Sequence, residues 1–431
     1  MPTSRSSFPW AIIFFLILLV MVVIAVFVVP RWWVEFQISK LPPEVRATIE
    51  RFRSEPVEIP EDWVTPPEAP EDLLALVEKR RAILETQPPA IPRELQSRAV
   101  AGDELSDSEW EEVASILSKV DPQFQAIDDL VSHPSYWFGI LPTKVDNRGI
   151  PDLLPIQTTG QYLPLRALYQ ARQGDYEGGI ESLLTLLRLS IRHPTDGEIE
   201  QLVALALTQR AIQPMATLAK ECEDPTLLKA TLNRLNDLAP TIQLNVFDDP
   251  ILACVVVWIN YERKNGGALE VSPGKTGLDY LYEISAPNSA VSRMRRKLVN
   301  QPTSGWFRSV VVHFWSILTG SYRLMIAMSL PNQLDMGIRN DHIGSAFDLV
   351  RLALANRIHE LQTGAKANDQ NAFIPDLLKE PLLDPFTEKP YLWDASSEVF
   401  YSVAPDEVDD GNHIQYSPTN GSRSVGDFSL R

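Results

Sequence analysis

Cysteine and histidine are scarce in these 431 residues, with two of the first and six of the second. Cys222 and Cys254 are too few for a disulfide framework or a four-ligand zinc site. They read as small apolar residues, Cys254 within the run ILACVVVW, and a single bridge is the alternative in an exported chain. Basic charge is also short: 39 Lys and Arg against 56 Asp and Glu leave a net charge of −17. Phosphate binding needs a basic footprint, so nucleic acid is excluded as a partner class. The same balance excludes a body lying flat on anionic lipid. Catalytic signatures are missing too. HExxH, G-x-S-x-G, P-loop and Rossmann glycine patterns do not occur. His359-Glu360 lacks a second histidine four residues on, and the acid pairs at 128–129, 248–249 and 409–410 are remote from one another in sequence. Ser, His and Asp are too scattered for a triad, so no catalytic residue is nominated.

What the chain does have is one long apolar run. Residues 8–29, FPWAIIFFLILLVMVVIAVFVV, are 22 residues without a charge, 17 of them Leu, Ile, Val or Phe. As a helix they would be about 33 Å long, enough to cross a hydrocarbon core of about 30 Å. Insertion gains on the order of 5–10 kcal/mol from those side chains, more than Pro9 near the helix start costs. The run exceeds a signal-peptide core and no A-x-A-like site follows, so it reads as an uncleaved anchor in the lipid bilayer. Residues 1–7 are then a cytoplasmic tail. Arg5 before the run nearly balances Arg31 and Lys40 after it, and a long body translocates largely regardless of such charges, so an exported C-terminal body is expected.

Residues 30–69 follow as a Pro/Glu-rich spacer, semi-extended because prolines at this density disfavour continuous helix; a loop packed along the body is the alternative. Helical periodicity begins at Glu71 and Pro88-Pro89 stop it. Ser106–Glu109 has the spacing of a capping box, and Asp121-Pro122 reads as a fresh N-cap opening a helix through Val131. Residues 134–160 show no period and are expected as a long loop. Ile180, Leu183, Leu184, Leu187 and Ile191 form a helical stripe, and the Gln173-Gly174-Asp175 break before it resembles the turn of a tetratricopeptide-type helical hairpin, of which one unit is found. Helices are expected over Glu198–Glu221, from Asp224-Pro225 to Leu238, and from Asp249 to Arg263. Residues 306–330 carry Arg308, His313 and Arg323, which argue for a buried or groove-lining helix over a second span.

Residues 338–364 form a further helical stripe stopped by Gly364. Strands are expected over Pro390–Trp393, Val399–Val403 and Asp427–Leu430. The run Asp384-Pro385-Phe386, Lys389-Pro390-Tyr391, Tyr401–Asp406, Asp409-Asp410-Gly411 and Gly426-Asp427 resembles the C-terminal domain of type II secretion major pseudopilins. That resemblance covers residues 340–431 and implies a helix, a small antiparallel sheet and an acidic calcium-binding loop. Ala404 and Glu407 stand where the family's loop usually has glycine, and the family's leader-peptidase site and following glutamate are not found here. Calcium wants six to eight oxygens on a bending loop, and Asp406, Asp409, Asp410 and Asp427, with Ser402 or backbone carbonyls, are the candidate ligands. A solvated acidic turn is the alternative. The 160–265 and 340–431 blocks together also resemble a group of large membrane-anchored helical proteins common in planctomycetes and their relatives, a likeness that implies no activity.

The expected fold class is therefore mainly α: a transmembrane helix, a stack of α-helical hairpins over residues 70–337, and an α+β module with an antiparallel sheet over 338–431. The expected function is that of a single-pass protein of the bacterial inner membrane, with an extracytoplasmic body acting as a protein-interaction scaffold. A component of secretion or pilus-like machinery, through the pseudopilin-like module, is the alternative. An envelope hydrolase with a site near 134–160 is a third.

Overall fold

Three helices of this chain begin at capping Ser or Asp side chains, and those three share one apolar core. The computed structural model describes residues 43–141 except 66 and 102, 144–145, 151–243 except 195 and 197, 321–417 and 424–430. It also describes residues 36, 39 and 40 and short pieces between 252 and 280. The expected anchor over residues 8–29 lies outside the described residues, as do His313, Cys254 and most of the expected 249–263 helix. Among the described residues no helix is long and apolar enough to cross a membrane. The chain divides into two bodies, Met1–Pro60 with Phe247–Leu334, and Glu61–Val246 with Asp335–Arg431.

In the first body, the expected semi-extended spacer instead contains helix α1, Pro43–Ser54. Its one proline, Pro43, sits at the start of the helix, where a missing N–H costs nothing, and none follows until Pro56. Ile49 and Phe52 are fully buried. A Cβ on Gly277 would lie 2.9 Å from the Phe52 ring, and Val57 N donates to Lys275 O at 2.9 Å, so this segment packs on the 275–280 piece.

The second body opens with α2 (Glu61–Val64), α3 (Glu71–Leu84), α4 (Arg93–Ala101) and α5 (Asp107–Val131). Ser106 caps α5 as expected: its Oγ accepts from Glu109 N while Glu109 Oε2 accepts from Ser106 N. Asp121-Pro122 does not start a new helix. Pro122 sits inside α5, because Val113, Leu117 and Val120 before it and Phe124, Ile127 and Leu130 after it face the same core. That shared burial outweighs the roughly 3 kcal/mol an internal proline costs.

The expected loop over 134–160 is shorter in the structure. Phe138–Ile140 form a 3₁₀ turn, β1 (Lys144–Val145) pairs antiparallel with β2 (Pro151–Asp152), and α6 (Leu154–Arg172) has begun by Leu154. α7 (Tyr176–Leu189) folds back on α6 through Gly174, at φ 83, and Asp175, whose carboxylate accepts from Gly178 N at 2.9 Å. Gly179 permits the close approach of the two helices, since a Cβ there would stand 2.8 Å from Ala167 O. α7 also packs against α5, α8 (Glu198–Glu221) and α9 (Pro225–Ile242). Ile180, Leu183, Leu184 and Leu187 are buried, each contributing roughly 1.5–3 kcal/mol. Ile191 lies beyond the helix end, where its carbonyl accepts from Phe138 N. Asp224 caps α9 through the amides of Thr226 and Leu227, as the Asp-Pro pair predicts.

The long helix α10 runs Ser321–Thr363 and stops at Gly364, at φ 80. Its buried Phe347, Val350, Leu354 and Ile358 join the core of the second body. Two side-chain amides then tie the returning chain down. Asn356 bonds both backbone groups of Ala367, and Gln370 both backbone groups of Leu382. A hairpin pairs β3 (Leu383–Asp384) with β4 (Lys389–Pro390). Beyond it β5 (Leu392–Asp394), β6 (Val399–Ser402) and β7 (Phe428–Ser429) make an antiparallel sheet in that order, with Trp393 opposite Phe400 and Ser402 opposite Phe428. The fold is thus mainly helical with a small C-terminal antiparallel sheet.

Candidate functional site

β7 returns beside the acidic turn, which brings Asp427 to the candidate calcium ligands. Asp427 Oδ2 accepts from Asp410 N at 3.1 Å and Asn412 N at 2.6 Å, while Oδ1 is buried without a hydrogen bond. Burial, reinforced by the Asp409 and Asp410 charges, raises the Asp427 pKa above its ordinary value. Asp409 Oδ1 accepts from Tyr401 OH and Gly411 N, both at 2.9 Å. Asp406 is spent elsewhere, on the amides of Gly426 at 2.7 Å and Val408 at 3.4 Å. Ser402 is fully buried and its Oγ accepts from Ala404 N. Among the described residues no three His, Cys, Asp or Glu side chains converge as a group that could hold a metal. The feature of this turn that suits a cation is the bare Asp427 oxygen between like charges.

Asp394 and Asn412 were not legible as parts of this turn. Asp394 accepts from Ser396, Ser397 and the Asn412 side chain, and these bonds hold its carboxyl far below the usual range. Asn412 adopts φ 61, a left-handed conformation asparagine tolerates, and Asp-Gly-Asn is the only local signal for it. Ala404 and Glu407 also take positive φ, 58 and 57, at the positions where the resembling family has glycine.

A second place gathers polar groups. A cleft of about 1000 Å³ opens between α9, α10 and the 375–390 segment. Its floor is an ion pair in which Arg351 Nη1 donates to Asp348 Oδ1 at 2.7 Å, both side chains nearly buried. Arg351 Nε also donates to Asn236 Oδ1 at 2.8 Å, and Asn236 Nδ2 to Leu377 O at 3.3 Å. Tyr391 OH reaches Asp348 Oδ2 at 3.4 Å. Burial pushes Asp348 up in spite of the Arg351 charge, and burial raises Tyr391 well above its ordinary value. Because both Asp348 oxygens are engaged, the group ties α10 to Asn236 of α9 and to Tyr391 and is not poised as a free base. Asp237, Asp341, Asp376, Lys379 and Glu380 give the walls charges of both signs.

The acid pairs noted in the sequence do not assemble. Asp128 accepts from Thr185 at 2.8 Å and faces Arg166, Asp129 pairs with Arg80, and 248–249 lie outside the described residues. Glu360 pairs with Arg357 at 2.8 Å, and His359 stands edge-on to Phe373. Cys222 is a free, buried thiol. Compared with known proteins, the chain matches no family model, no curated sequence and no solved structure.

Proposed function

We propose that the chain is a single-pass scaffold of the bacterial envelope, tethered in lipid by residues 8–29, which holds a protein partner in the cleft between α9, α10 and residues 375–390. The cleft carries this reading. It is open, it mixes amides, prolines and charges of both signs, and its one buried acid is tied into the frame. Such a surface suits a polypeptide better than a reacting small molecule. Photocrosslinkers placed at Asn233 and Lys379 of the full-length chain in native membranes are expected to trap one defined protein, and one at exposed Lys119 is not. Adducts indifferent to position would sink the reading, as would recovery of the full-length chain in the aqueous fraction without detergent.

A second reading adds a pseudopilin-like role for residues 340–431, in secretion or pilus-like machinery. The unpartnered Oδ1 of Asp427, beside Asp409 and Asp410, favours it. Calcium there would take Asp427 as its anchoring ligand and offset the repulsion of the neighbouring acids. Millimolar calcium should raise the melting temperature, and Asp427→Asn should abolish the rise. An unchanged melting temperature in the parent chain removes calcium from the account.

A further inference from the structure

The arginines of the second body mostly meet acids. Arg80 pairs with Asp129, Arg98 with Glu109, Arg166 with Asp128, Arg188 and Arg234 with Glu181, and Arg351 with Asp348. Arg210, on α8, is different. It is half-buried and has no hydrogen bond or carboxylate partner among the described residues; burial alone acts on its guanidinium, pulling its pKa down. It lies in a groove of about 860 Å³ formed by the 87–91 connector, α4, α6 and α8. No acidic side chain lines that groove among the described residues, in a chain whose net charge is −17.

The remainder of the lining is of two kinds. Gln87, Gln96, Gln161, Ser97 and Thr158 bring neutral donors and acceptors, and Ile91, Val100 and the nearby prolines bring apolar surface. Part of the wall is fixed: Tyr162 OH donates to Pro89 O, Gln87 Nε2 to Thr158 Oγ1 at 3.3 Å, and Gln96 Nε2 to Gln161 O at 3.2 Å. The Gln161 amide and the Ser97 hydroxyl make no side-chain bond among the described residues. A partly desolvated guanidinium without an anion is costly, and the five-donor fork of arginine matches a carboxylate in two parallel bonds. One cation without a second beside it among the described residues suits a single negative charge better than a phosphate dianion. The volume falls within the range of small-ligand sites, roughly 300–1,000 Å³.

We propose that this groove binds a monoanionic carboxylate carrying a compact apolar group, with Arg210 as its counter-ion and the Gln161 and Ser97 side chains as neutral donors. Free branched-chain acids and the C-terminal residue of a peptide share that chemistry. The site is separate from the α9–α10 cleft and does not depend on what the cleft holds.

The test is calorimetric titration of the purified full-length chain with 4-methylpentanoate, with its neutral amide and with N-acetyl-leucine. The acid is expected to bind and the amide to bind at least about 10-fold more weakly, the size of one charge-assisted pair. Arg210→Gln should cost a similar factor without lowering the melting temperature, because it removes an uncompensated charge. Ser97→Asp, which places a competing carboxylate on the rim at an exposed position, should weaken binding independently. N-acetyl-leucine binding tighter than 4-methylpentanoate assigns the site to a peptide C-terminus; the reverse order assigns it to a free acid. Equal binding of acid and amide, unchanged affinity in a folded Arg210→Gln chain, or no heat from either carboxylate at millimolar concentration would overturn the proposal.

Discussion

Glu407 shows how one backbone angle can be tested in isolation. It is exposed, makes no side-chain bond among the described residues, and holds φ 57, a conformation that costs an L-residue roughly 1–2 kcal/mol. Glu407→Gly should therefore stabilise the chain by about 1 kcal/mol in urea unfolding, since glycine's extra unfolded-state entropy offsets part of the relief. Destabilisation would show that the turn is less constrained than its angle implies. His342 is the second residue with a measurable signature. It lies between the rings of Tyr416 and Phe428, each 4.5 Å away, and burial lowers its pKa to about 4. A base whose folded pKa lies below its unfolded value near 6.5 is bound by more protons in the unfolded chain between those limits. Its stabilising contribution is complete above pH 6.5 and falls as pH drops toward 4, by about 3 kcal/mol in all. His342→Phe keeps the ring stack and should flatten stability over that interval; an unchanged slope would assign the pH dependence to other groups.

At the scale of elements, α6 and α7 depend on one missing methyl group. Gly179→Ala raises helix propensity but drives a Cβ to 2.8 Å from the Ala167 carbonyl, which belongs to backbone that cannot swing away. A net loss of about 1–3 kcal/mol is expected in urea unfolding, with a gain as the contrary result. Elements were legible where their ends carry a side-chain signal. Ser106, Asp175 and Asp224 each satisfy amides at a helix start, and the sequence locates all three. α6 begins after Leu153, which makes no side-chain cap bond, so no local signal marks it and its first two turns read as loop. Pro122 carries a strong local signal that tertiary burial overrides. Strands β5 and β6 are visible from their strand-forming residues and the turn between them, and β7, itself two residues, is expected only as a short third strand; β3 and β4 are two residues each and offer no period to detect.

At the scale of the whole second body, residues far apart in sequence share single interactions. Arg351 joins α10 to Asn236 on α9, and its partner Asp348 meets Tyr391 next to the sheet. No spacing in the sequence foretells that meeting, and for the same reason neither the cleft nor the Arg210 groove was legible. Arg351→Met strands Asp348 in the interior and leaves Asn236 without its donor. The expected cost is about 3–5 kcal/mol near neutral pH. It should shrink as pH falls, because protonation of the abandoned carboxyl removes the buried charge. A loss that does not vary with pH would instead indicate simple loss of packing.

The second body is interrupted in the chain: residues 247–334 stand between its two portions, and Phe347, Leu354 and Ile358 arrive only afterwards. At common elongation rates the ribosome needs roughly 4–18 s to read through that insertion. Throughout that interval the nascent helices α3 to α9 wait with greasy surface uncovered, and maturation must be completed after most of the protein has been synthesised. Nonsense alleles anywhere before codon 335 should consequently yield sticky, protease-sensitive fragments instead of shortened working proteins.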